Sequence, residues 1–169
     1  MRIRYSIWCM ALSLVLLSFF CTCRQSPHNE LILQNRVASL EKQLAKTYKP
    51  GLGEFMSGIQ VHHIKLWFAG INQNWKLADF EMHEIREYLD DIQQFNTDRP
   101  ETKSIPMIFP AMDSVMNAVE QKDIIRFKNS FGLLTNSCNN CHKDTDHGFN
   151  IVIIPTAPPF TNQDFRPLK

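Results

Sequence analysis

From Leu52 to Thr145 the chain places apolar residues at intervals of three and four, with no alternating segment between them, which limits it to helices packed on helices. At about 100° per residue, Leu52, Phe55, Met56, Ile59, His63, Leu66 and Trp67 fall on one stripe of a helix predicted over Leu52–Gly70. A turn at Asn72–Asn74 follows, with Asn74 as N-cap of the next helix, Trp75–Phe95. That helix carries Ala78, Met82, Ile85, Leu89 and Ile92 inward, and Asp79, His83, Arg86, Glu87 and Asp90 toward solvent. So short a turn makes the two helices antiparallel neighbours.

Asn96–Pro106 is polar and bounded by proline, and reads as a loop. A shorter helix is predicted from about Pro110 through Met112, Val115 and Val119, interrupted at Gln121–Asp123. The last helix spans about Lys122–Thr145, with Ile124, Phe127, Phe131, Leu134, Cys138 and His142 along one stripe. Ahead of these, Glu30–Lys46 has Leu33, Val37, Leu40 and Leu44 at a/d-like spacing, a stalk or an arm, and Pro50-Gly51 breaks it. The expected fold is all-α: an up-down-up-down four-helix bundle with an additional N-terminal helix and an extended C-terminal tail. The tail, 149–169, could pack over the edge of a bound group or wrap the bundle exterior, the second by default.

The first residues form a separate object. Arg2 and Arg4 precede an apolar run from Ile7 to Phe20, the pattern of a bacterial export signal and short for a membrane span. Cys21 and Cys23 at its end resemble a bacterial lipoprotein signal, whose cleaved chain begins with a lipidated cysteine; Thr22 gives Cys23 the small neighbour such a signal prefers. The resemblance implies a periplasmic or cell-envelope protein anchored to a membrane through Cys23 or Cys21. The domain reading is then 1–22 export signal, 23–50 linker and helical arm, 51–148 bundle, and 149–169 tail. Lys and Arg number 18 against 17 Asp and Glu, without a basic cluster, so a nucleic-acid partner is not expected.

With Cys9 and Cys21 in the signal and Cys23 lipidated, Cys138 and Cys141 are the thiols left to the folded domain. They stand in Cys138-Asn139-Asn140-Cys141-His142, the C-x-x-C-H attachment signature of c-type haem. Two thiols one helical turn apart can add to the two vinyl groups on one edge of a porphyrin, and the adjacent imidazole can then serve as proximal iron ligand. Three other readings compete. A zinc site wants two further ligands, and only His147 lies near. A thioredoxin-like pair wants a βαβ setting. A disulfide gives His142 no part.

Cys-x-x-Cys-His near the end of the last of four helices resembles the cytochrome c′ family of helical-bundle c-type cytochromes. The resemblance covers Leu52–Thr145 in architecture and the motif alone in sequence. It implies one covalently bound haem c, held by Cys138, Cys141 and His142, with His142 on the iron. Antiparallel first and last helices bring Met56 to the level of His142, making it the candidate sixth ligand; His63 is second, about 10 Å farther along the axis at 1.5 Å per residue. Two functions follow: a one-electron carrier whose iron is closed by Met56 or His63, with an unidentified redox partner protein, or a binder or sensor of small gases with an open sixth position. No paired-carboxylate or Ser–His–Asp constellation argues for an enzyme. Val61, Ile64 and Phe68, off the main stripe, offer a face for a homodimer or for the N-terminal arm.

Overall fold

The computed structural model describes residues 27–168 apart from 45 and 48. The expected export signal, with Cys21 and Cys23, falls outside the described residues. Regular structure among the described residues is helical throughout: α1 (Pro27–Leu44), α2 (Leu52–Ile71), α3 (Trp75–Phe95), a 3-10 helix (Pro100–Ile108), α4 (Phe109–Glu120) and α5 (Ile124–Asp144). No helix among them is long and apolar enough to cross a membrane.

The chain divides into two compact units, 1–48 and 49–169. In the first, α1 begins at Pro27, ahead of the predicted Glu30, because proline fits the first turn of a helix, where no amide donor is needed. Leu33, Val37, Leu40 and Leu44 are exposed on it.

In the second unit the helix starts are set by local hydrogen bonds. The Gly51 N–H donates to Glu54 Oε2 at 3.3 Å before α2, and Asn74 Oδ1 accepts from the Leu77 N–H at 3.3 Å before α3. Asp123 Oδ1 accepts from the N–H groups of Ile125 and Arg126 at 2.9 and 3.0 Å, so α5 begins after Asp123. Three of the helix ends share one geometry, α3 excepted. Gln73, Lys122 and Asp146 follow α2, α4 and α5 with φ of 58°, 54° and 61°. In each case the next N–H reaches back five residues, from Asn74 to Ala69 O, Asp123 to Ala118 O and His147 to His142 O. This is the Schellman arrangement built without glycine.

One segment departs from the sequence expectation. Residues 100–108 are a 3-10 helix and not a loop. Pro100 opens it, the Thr102 hydroxyl donates to the Asn96 carbonyl at 2.7 Å, and Ile105 and Ile108, three apart, are both buried. A three-residue repeat suits the 3-10 period, in which i and i+3 lie one above the other.

α2 packs chiefly on α3, and α4 on α5; α5 also meets α2 and the 3-10 helix, and α3 meets α4. Leu66, Met82, Leu89, Ile92, Ile105, Val115, Phe127, Phe131 and Leu134 fill the interior with almost no exposure. Burying each such side chain contributes about 1.5–3 kcal/mol. Gly70 of α2 is what lets α5 approach: a Cβ there would lie 2.1 Å from the Phe127 ring.

Candidate functional site

The last two turns of α5 carry Cys138, Cys141 and His142. Cys141 is buried and Cys138 half-buried, and the two thiols are free. Burial pushes the Cys138 thiol up to about 12, with Cys141 adding to the effect, and burial with help from Asp144 raises Cys141 as well. Both groups are therefore neutral thiols at neutral pH and poorly suited to disulfide exchange.

His142 is oriented by the tail. Its Nδ1–H donates to the Asn150 carbonyl at 2.6 Å, which leaves Nε2 as the ring nitrogen with a free lone pair. Asn139, one turn earlier, holds the same stretch of tail by both halves of its amide. Nδ2 donates to the Val152 carbonyl at 2.8 Å, and Oδ1 accepts from the Val152 N–H at 2.8 Å. The tail thus crosses the motif here before running back along the unit, where Phe165 packs on Phe68 with ring centroids 5.7 Å apart. At Asn150–Val152 the tail therefore lies against the motif and does not merely wrap the exterior.

Cys138, Cys141 and His142 line a cavity of about 200 Å³ together with Met56 and His63 of α2. Ile59, Ile85, Leu89, Ile108 and Leu134 give it apolar walls, and Ile151 and Val152 of the tail close one side. Its mouth lies among the exposed Gly53, Ser57, Gln60, Asn150 and Ile151. Met56 is half-buried and packed against the core. His63 is buried, and its ring lies 4.5 Å from that of Phe131. The Thr135 hydroxyl donates to the Phe131 carbonyl at 2.9 Å, so at 3.0 Å it accepts from His63 Nε2–H, and Nδ1 keeps the lone pair. Burial pushes the His63 imidazole down to about 4, so it is neutral in ordinary conditions.

No protein-family model, curated protein or solved structure matches the chain. What the site can do is therefore read from its own residues. Among the described residues no three His, Cys, Asp or Glu side chains come together as the ligands of one metal ion. The thiols and imidazole surround a space and do not converge on a point.

Three participants, and one buried acid outside the cavity, were not anticipated from sequence. Asn139 and the Asn150–Val152 stretch carry no periodic signal. Thr135 lies beside the α5 stripe, four residues from Phe131, and position alone gives it no partner. Glu81 could have been found: it lies three residues after Ala78 and four before Ile85, on the buried stripe of α3. It is fully buried and bonded to His62 at 2.6 Å, with Lys65 at 3.5 Å.

Proposed function

We propose that this chain is an exported monohaem c-type cytochrome acting as a one-electron carrier, built on an up-down-up-down four-helix bundle. The observation that carries the reading is the convergence of Cys138, Cys141, His142 and Met56 on one apolar cavity, with His142 Nδ1 tied to a carbonyl and Nε2 free. That donor set would suit a group that takes two covalent attachments and one nitrogen ligand. Neutral thiols and the absence of a converging ligand cluster among the described residues support it over thiol–disulfide exchange and over zinc.

Haem, when bound, supplies one-electron redox chemistry at its iron. The chain's own residues do the rest. Cys138 and Cys141 would hold the group covalently. His142 would offer Nε2 as a ligand to its iron, the ring held by the Asn150 carbonyl. Ile59, Leu89 and Leu134 would keep water from it, and Met56 would be the candidate second ligand. His63 is the second candidate, through the Nδ1 lone pair left by its Nε2–H bond to Thr135. An anchor through Cys23 or Cys21 would hold the carrier at the membrane of the cell envelope, where it meets a redox partner protein.

A second reading, a gas binder or sensor with an open sixth position, is favoured by the apolar lining of the cavity. The ferrous optical spectrum of the exported, matured protein, recorded before and after carbon monoxide, separates the two. A six-coordinate low-spin spectrum unchanged by the gas is expected for the carrier. A five-coordinate spectrum that shifts means an open site, and recovery without covalent haem from a maturation-competent host refutes both.

A further inference from the structure

The attachment signature leaves its two middle positions unspecified, yet Asn139 has both halves of its amide engaged with one tail residue. The two 2.8 Å bonds to Val152 satisfy that residue's N–H and C=O together, as a neighbouring strand would. Asn150 N–H donates to the His147 carbonyl at 2.8 Å, and among the described residues no other backbone–backbone hydrogen bond holds residues 150–155. Residues two apart in an extended segment face the same way, and residues three apart on a helix share a face. Hence the carbonyls of Asn150 and Val152 address His142 and Asn139 in matching register.

We propose that Asn139 is a positioning residue, whose clamp on Val152 holds the Asn150 carbonyl against His142 Nδ1 and so sets the orientation and donor strength of the imidazole. The consequence for the iron rests on the haem reading above; the clamp itself does not. A carbonyl on Nδ1–H fixes the tautomer with its lone pair on Nε2 and makes that nitrogen a stronger donor. A stronger donor favours ferric iron, so loosening the clamp raises the reduction potential.

The test compares the exported, matured parent with Asn139→Ala, which loses both bonds, and Asn139→Asp, which keeps an acceptor for the Val152 N–H. Covalent haem content, the ferric-to-ferrous ratio at fixed poise, and solvent exchange of the His142 Nδ1–H by NMR are measured on each protein as isolated. Equal haem content is expected, with the ratio moved several-fold toward ferrous in Asn139→Ala and less in Asn139→Asp. The ring proton, protected in the parent, should exchange rapidly in Asn139→Ala. An unchanged ratio with unchanged protection overturns the proposal. If the parent carries no haem, the haem reading fails and proton exchange alone decides the clamp. If Asn139→Ala does not fold, Asn139→Asp decides by the same two readouts.

Discussion

Glu81, without solvent exposure, meets His62 Nδ1 through Oε2 at 2.6 Å, and its other oxygen has Lys65 at 3.5 Å and no hydrogen bond. This polar pair sits inside the α2–α3 interface, the most extensive helix contact of the unit. Removing one member strands the other. His62→Leu should cost about 2–4 kcal/mol, because the buried carboxylate loses its short partner. The double variant His62→Leu with Glu81→Leu should recover part of that loss, since the apolar pair needs no compensation while Lys65 must turn to solvent. Urea denaturation of the four proteins closes the cycle; strictly additive losses would show that the pair is not coupled.

Gly70 and Gly132 give opposite expectations from one substitution. Alanine at Gly70 drives a methyl into the ring of Phe127, which is fully buried and has nowhere to move. A loss of about 1–3 kcal/mol follows. Gly132, inside α5, has nothing within 4 Å of a Cβ. Alanine there should add about 0.5–1 kcal/mol through helix propensity. Thermal denaturation of both variants should displace Tm in opposite directions.

His63 makes stability depend on pH. Its folded pKa, about 4, lies below the ordinary value of 6.5, so the unfolded chain binds the extra proton between them. Stability is therefore full above pH 6.5 and falls as pH drops toward 4, by about 2–3 kcal/mol at pH 4.5. Below pH 4 this contribution no longer changes. Denaturant titrations of the parent and of His63→Gln between pH 7 and 4.5 should show the dependence flattened in the variant.

Met56 decides between the two readings of the site. In the carrier, Met56→Ala converts the ferrous protein from six-coordinate to five-coordinate and lets carbon monoxide bind. A variant spectrum identical to the parent's removes Met56 as a ligand and leaves the gas-binding function ahead.

The positions of α2, α3 and α5 were legible because each carries a long apolar stripe bounded by capping side chains, Asn74 and Asp123 among them. Residues 100–108 were not, because Pro100 and Pro106 look like loop punctuation and a 3-10 period shows only in Ile105 and Ile108. At the site, the side chains that sit on stripes, Met56, His63 and Cys138, could be assigned a face from periodicity. The amide of Asn139 could not, since its partner lies thirteen positions away in a segment with no repeat at all. A buried acid such as Glu81 is overlooked for a different reason: charge suggests the surface, and only its angular position contradicts that.

The tail is fastened at two distant places. Asn139 holds it near the cavity, and the Asn74 side chain donates to the Arg166 carbonyl at 3.2 Å beside the Phe68–Phe165 contact. Asn74 and Arg166 are 92 positions apart in the chain, so this fastening closes a loop around the whole helical unit. Between these fastenings the tail makes few backbone hydrogen bonds, so its amides should exchange faster than those of α2 to α5, and a release at Val152 would uncover one side of the cavity without unfolding a helix.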